Sequence, residues 1–305
     1  MKKNLLYLFT VLCSLSFFSS CSDDDKNNAA DFSGTYAGEN LKMTYAGVEM
    51  AKTLTVDKTS VTLKSIVPGE ADLVIPCTFV DNAFSGNSKT AAREVTIEGT
   101  IVDKKMSAKV STKIIHALAG NTYATTPQSL SLAYETPMKT ITFMGDKAYD
   151  PKYLPGLVNA MGGAMLAGML QDVTFNEDGT IVASYIKDKK VVTSPKGYAF
   201  YNIMDNKIIV SVNVAMIRKP KSKASANPLE AIMAMLENGL PIGLAMNGNT
   251  ASFIVTRDMM LPFMDVLPII GGMVDVQLVK MLANEIPVIV KGSTKFDLSL
   301  NLTKK

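Results

Sequence analysis

Few side chains in this chain can do covalent or acid–base chemistry. Among 305 residues there is one histidine, His116, and there are three cysteines, Cys13, Cys21 and Cys77. A nucleophilic thiol needs a base to make its thiolate. His116 is flanked by Ile114-Ile115 and Ala117-Leu118, with no serine or carboxylate motif beside it. Cys77 lies in the apolar, β-rich run Leu73-Val74-Ile75-Pro76-Cys77-Thr78-Phe79 and reads as a buried structural thiol. Glycoside hydrolysis needs two carboxylates but no local motif. Asp146, Asp150, Asp172 and Asp178 are available for it, and nothing near them distinguishes them from surface and turn residues. Asn176 and Asp178 open like a calcium loop, yet Tyr185 stands where such a loop needs glutamate. Ser85-Gly86-Asn87-Ser88-Lys89-Thr90 has the ending of a phosphate loop but lacks the upstream glycine and a following helix, so it reads as a plain loop. The expectation is a protein that is not an enzyme, with no catalytic residue, no metal and no cofactor.

Cys21 has a different chemistry. It follows Lys2-Lys3, an uncharged run from Asn4 to Ser20, and the small residues Ser19-Ser20. This is the anatomy of a cleaved export signal. The apolar run is shorter than the roughly 20 residues needed to span a bilayer. Phe18-Ser19-Ser20-Cys21 resembles the lipobox of bacterial lipoproteins, which implies residues 1–20 as signal peptide and Cys21 as the acylated first mature residue. Two acyl chains on one cysteine satisfy the two-signal requirement for stable anchoring. Ser22-Asp23-Asp24-Asp25 resembles the acidic export tag of surface lipoproteins in the Bacteroidetes. The resemblance implies attachment to the outer membrane with the body exposed at the cell surface. Residues 21–31 are polar and small, as in a flexible tether.

Loss of the leader takes Lys2 and Lys3 with it, so a formal net charge of +3 becomes +1. Near neutrality argues against nucleic acid as a partner. With Cys13 removed and Cys21 acylated, Cys77 is left alone and no intrachain disulfide forms. Fifteen of the 19 methionines lie from Met138 onward, which argues for two unlike domains. We place a first domain at 32–118, a linker at 119–128 and a second domain at 129–305.

The first domain alternates apolar and polar residues on either side of polar turns. Examples are Thr53–Val56 with Val61–Lys64, and Val95–Val102 with Met106–Val110. That is the pattern of hairpins. Residues 119–128 contain Ala119-Gly120-Asn121 and Thr125-Thr126-Pro127, which are turn formers. In the second domain three apolar helical stretches each lead into a hairpin. Tyr153–Gln171 carries no charge, and Met161, Met165 and Met169 share one helical face. Asn227 caps a second helix, with Met233 on its apolar face and Gly239 at its end. A third opens at Asp258 with Met260, Phe263, Met264 and Leu267 in helical spacing, broken at Pro268 and Gly271-Gly272. Hairpins follow at Asp178-Gly179, Asp205-Asn206 and Gly248-Asn249. Val288-Ile289-Val290 reads as a strand, then a turn, then Lys295–Leu302.

Gly34-Thr35-Tyr36 opening a strand meander resembles the calycin-like β-barrel domains of Bacteroidetes lipoproteins and is similar to the Gly-x-aromatic opening of lipocalins. The resemblance implies a small barrel and an apolar cavity, and no catalytic residues. The expected fold is therefore mainly β with α additions (α+β). It has an N-terminal antiparallel barrel or meander, and a C-terminal curved sheet or partial barrel with three apolar helices packed on it. Functionally, Met161, Met165, Met169, Met233 and Met264 are the candidate ligand-binding residues, lining either an adaptable apolar pocket or an ordinary core. The partners expected are the membrane through the lipidated N-terminus, and an apolar small molecule or a surface protein. The alternative reading is a structural or accessory subunit of a surface protein or glycan-uptake assembly.

Overall fold

The computed structural model describes residues 32–305 except Met144, Asp146, residues 218–227 and residues 273–276. Cys21, Asp146 and the helix cap expected at Asn227 therefore lie outside the described residues. The body is mainly β with added helices, and two large sheets make up one compact unit, Phe32–Lys305.

The first sheet has nine strands: β1 (Gly34–Tyr36), β2 (Leu41–Tyr45), β3 (Val48–Glu49), β4 (Thr53–Asp57), β5 (Ser60–Lys64), β6 (Asp72–Val80), β7 (Ala83–Lys89), β8 (Arg93–Val102) and β9 (Lys105–Ile114). Strands β4 to β9 form an antiparallel meander, β1 adds at one edge, and β2 joins parallel to β9 at the other. The sheet curls because β6 serves two neighbours. Its first half, to Pro76, pairs β5, and its second half, from Cys77, pairs β7. Alternate residues face inward and form one core that includes Met43, Tyr45, Leu54, Leu63, Ile75 and Ile97. Ser85–Lys89, expected as a loop, lies inside β7: all five residues pair β8, and Ser85 and Gly86 also pair β6.

The second sheet uses β10 (Asn121–Ala124), β11 (Leu130–Glu135), β14 (Leu170–Phe175), β15 (Thr180–Lys187), β16 (Lys190–Thr193), β17 (Ala199–Met204), β18 (Lys207–Val212), β19 (Leu240–Asn247), β20 (Thr250–Thr256) and β21 (Lys295–Lys304). A separate short pair is β12 (Ile141–Thr142) with β13 (Ala148–Tyr149). Strands β10, β14, β15, β17, β18, β19, β20 and β21 follow one another in antiparallel register, and β10 also pairs β21. That closes an eight-stranded barrel. Full closure thus occurs in the second half of the chain, while the first half is an open curled sheet. The strand that closes the ring, β10, lies within the stretch expected as a linker.

Eight strands leave an interior just wide enough for side chains. Here Phe175 fills it, with ring centroids 6.0 Å from Tyr123, 5.4 Å from Tyr201 and 5.4 Å from Phe253. At one end the barrel splits. Strand β11 continues along β21 after β10 has ended, in register from Leu130↔Leu300 to Glu135↔Lys295. A helical segment fills the split, packing on β11 at one side and on β14 and β15 at the other. It consists of α1 (Leu154–Leu157), a π-helical turn (Val158–Gly162) and α2 (Gly163–Met169). Asn159 Oδ1 accepts the free backbone N–H of Leu132, which satisfies the edge of β11.

The remaining helices are α3 (Val214–Ile217), α4 (Pro228–Asn238), α5 (Arg257–Met260), α6 (Leu267–Gly272) and α7 (Gln277–Lys291). Pro268 stands near the start of α6, where its missing N–H costs nothing, and does not break it. Val288-Ile289-Val290, expected as a strand, belongs to α7. Ile289 and Val290 are buried there in a third core with Leu132, Leu154, Met264 and Phe296. That packing overrides the β propensity of the triplet.

One polar cluster joins the two sheets. Arg93 at the start of β8 is 4% exposed, and its Nε and Nη2 donate to the Glu70 carboxylate at 2.7 Å and 2.5 Å. Asn202 of β17 is fully buried and donates to Glu70 and to the Pro68 carbonyl, each at 3.2 Å. Beside it Gly69 (φ +82°) and Gly239 (φ +104°) lie back to back, with the Gly69 N–H donating to Asn238. A Cβ on Gly239 would come within 2.6 Å of Ile209, so the left-handed turn and the close approach both demand glycine.

Removing one partner of a buried, hydrogen-bonded ion pair leaves the other charge uncompensated. Arg93→Met is therefore expected to lower unfolding stability by about 3–5 kcal/mol in urea titration. Adding Glu70→Leu should recover much of the loss. A single variant within 1 kcal/mol of the parent, by the same order-of-magnitude reasoning, would place the pair in solvent.

Candidate functional site

The interior aromatics end where the helices cover the barrel mouth, and there the structure opens an apolar cleft of about 470 Å³. Its floor is Leu240 and Ile242 of β19 with Val255 of β20, residues that continue the inward face of the barrel. Its walls are the end of α4, with Met235 and Leu236, and the turn of helix from α5 onward, with Met259, Met260, Phe263 and Met264. The local chain dictates this geometry. Gly239 ends α4 and sends the chain straight into β19, and Thr256 ends β20 directly against α5. Both hairpin strands thus carry a methionine-bearing helix at the same rim.

The lining is nearly all hydrocarbon and thioether. The polar residue at the rim, Asp258, has a solvent-exposed carboxylate beside Arg257 Nη1 at 3.5 Å. Arg257 is held by the Val290 carbonyl, which accepts from Nε at 3.2 Å. A cleft of this size lies within the range of small-molecule sites. Among the described residues, its lining turns almost no donor or acceptor inward.

Met264 is 1% exposed and forms part of the cleft wall. Met233 sits half-buried on α4, outside the lining. Met161, Met165 and Met169 are 44%, 38% and 63% exposed on the outer side of the helical segment, away from the cleft lining. The cleft instead recruits Met235, Met259 and Met260, none of them a candidate ligand residue from sequence, although Met260 was placed in helical spacing with Met264. The i, i+4 spacing of Met260 and Met264 was the available signal.

The reactive side chains are otherwise engaged. Burial raises the Cys77 thiol, which donates to the Ile75 carbonyl at 3.4 Å. Asp150 caps the turn before α1 and pairs Lys152 at 2.8 Å. Asp172 pairs Lys305. Asp178 pairs Lys196 at 2.6 Å and accepts from Thr180; although burial opposes it, these bonds hold its pKa below the usual carboxylate value. Among the described residues no three His, Cys, Asp or Glu side chains gather as a metal site. Also among them, no helix is long and apolar enough to cross a membrane. Comparison with protein-family models, curated proteins and solved structures finds no match.

His116 forms a turn in which its Nδ1 accepts the Leu118 N–H at 3.1 Å. Burial lowers its pKa below the free value. The unfolded chain therefore binds the proton more readily, and stability falls as pH drops through the free value near 6.5 toward the folded one. The melting temperature is expected to decline over that window, and His116→Gln should flatten the decline. A parent profile that stays flat there would contradict the burial of this imidazole.

Proposed function

We propose that the protein is a non-enzymatic lipoprotein, anchored through acylated Cys21 at the outer membrane and exposed at the cell surface, that holds an apolar ligand in the cleft at its barrel mouth. The observation carrying this reading is the cleft itself, with about 470 Å³ walled by Met235, Met259, Met260 and Met264 and almost no inward polar group. Methionine is unbranched and polarizable, so such walls adapt to ligands of varied shape. A single acyl chain or a similar hydrocarbon is the ligand class. The calycin-like resemblance at Gly34-Thr35-Tyr36 falls on β1 of the open sheet, whereas the cleft belongs to the barrel. The ligand reading therefore draws its support from the barrel. The accessory-subunit reading draws on β3, which ends the first sheet and offers a strand for a partner to extend.

Native mass spectrometry of detergent-free protein, with thermal melting in hexadecanoate, tests the ligand. Ligand at a hundredfold excess over Kd stabilises by about 2.7 kcal/mol, so melting should rise by several degrees. Met235→Trp, placed at the rim, should cancel the rise by filling the entrance. A melting curve indifferent to hexadecanoate, with no adduct in the spectrum, would remove the ligand. Acylation is tested separately by labelled palmitate, which should be incorporated by the parent and not by Cys21→Ala.

A further inference from the structure

Two neighbouring elements outside the cleft leave apolar side chains in solvent. Along the helical segment, Tyr153, Met161, Met165 and Met169 are 57%, 44%, 38% and 63% exposed. No charged residue occurs from Tyr153 to Gln171, and added Cβ atoms at Gly156 and Gly168 would meet open space. A helix against water ordinarily carries charge on its outer side; this one carries thioethers. Beside it stands an arm. Strand β15 pairs β17 only at Thr180 and Ile181, after which β16 takes over and the β15–β16 hairpin leaves the barrel path. Segment α2 packs on β15, so helix and arm stand side by side. The cross-strand pair Ile186↔Val191 near the arm's tip is exposed at 39% and 64%.

The charge at this place has one dominant sign. The tip reads Lys187-Asp188-Lys189-Lys190, with Asp188 and Lys189 in the two left-handed positions of a tight turn. All four residues are exposed, and none of the three lysines has an ion-pair partner among the described residues. At the start of the helix, the Lys152 ammonium lies 5.0 Å from the Tyr153 ring centroid and pairs the exposed Asp150 carboxylate at 2.8 Å. Uncharged side chains bordered by lysines complement an anionic lipid surface: the apolar groups enter the headgroup boundary and the ammonium groups meet phosphate.

We infer that the outer face of Tyr153–Met169 and the tip of the β15–β16 arm form a docking surface for an anionic lipid bilayer. The surface acts independently of the cleft. Where the acyl anchor is in place, it would add a second membrane signal to this surface. That last point rests on the proposed acylation of Cys21; the docking surface does not.

The test uses a chain beginning at residue 22, which lacks the acyl anchor and retains the whole unit Phe32–Lys305. It is sedimented with vesicles of phosphatidylethanolamine containing one-quarter phosphatidylglycerol, and with phosphatidylcholine vesicles. Binding should favour the anionic vesicles and weaken with salt. Each Lys→Ala change at 187, 189 and 190 should weaken it about fivefold. Met161→Glu with Met165→Glu should weaken it roughly tenfold or more, with the far-ultraviolet spectrum and melting unchanged because both side chains are exposed. Met235→Trp should leave vesicle binding intact, which separates failure of the cleft from failure of this face. Equal partition into both vesicle types, or binding untouched by the glutamates, would overturn the proposal. So would a dimer in sedimentation velocity that the glutamates dissociate, since a second copy would then cover the face.

Discussion

The joint between Arg93, Glu70 and Asn202 is the constraint on which the rest of the structure depends. Strand β8 supplies the guanidinium, the β5–β6 connection supplies the carboxylate, and β17 of the barrel supplies the amide. Burial makes each of these groups expensive unless it is paired; Nε and Nη2 of Arg93 are paired, while its buried Nη1 has no partner among the described residues. The pairing therefore fixes how the curled sheet meets the barrel. Packing reinforces it: Phe200, from the barrel strand β17, sits in the core of the first sheet with its ring 5.1 Å from Tyr45. Burial pushes the Tyr45 hydroxyl up to about 12, so it stays protonated and bonded to Thr112 across the physiological range.

A barrel fixed in this way has little room to hold anything inside. Its eight strands set a narrow bore, and Tyr123, Phe175, Tyr201 and Phe253 occupy it. Space opens at the rim where α4 leads into β19 and β20 leads into α5. There the chain uses methionine, whose flexible side chain tolerates either a guest or partial collapse. The split of the barrel brings the uncharged helix to the surface beside β15. The exposed methionine face thus follows from the departure of β11 from β10, whereas the cleft lies at the β19–β20 rim.

Much of the local structure was legible in the sequence. Period-two alternation marked the hairpins. Asp103-Lys104, Asp188-Lys189 and Asp205-Asn206 occupy the paired left-handed positions that two-residue turns require. The uncharged run 153–171 is helical as far as Met169, with Leu170 and Gln171 opening β14, and Gly239 did end a helix. Long-range pairing was not legible. Barrel closure rests on four residues, Asn121–Ala124, whose turn-forming neighbours disguised them as a linker. Val288–Val290 carried a strand's composition into a helix because buried contacts decided the matter. Of the five methionines chosen by helical spacing, Met264 faces the cleft, since spacing gives the shared face of a helix but not what that face meets. The lysines of the arm were invisible in a formal net charge of only +3, because a surface recognises local charge and not the sum.

The central claim is that curled sheet and barrel unfold as one body because the buried joint binds them. Native-state hydrogen exchange at rising urea, read at amides of β9 and of β17, tests it most directly. The account predicts that both sets exchange through a single opening, with the same free energy and the same dependence on urea. Strand β9 opening at clearly lower free energy than β17, with a shallower urea dependence, would show two separable domains and contradict it.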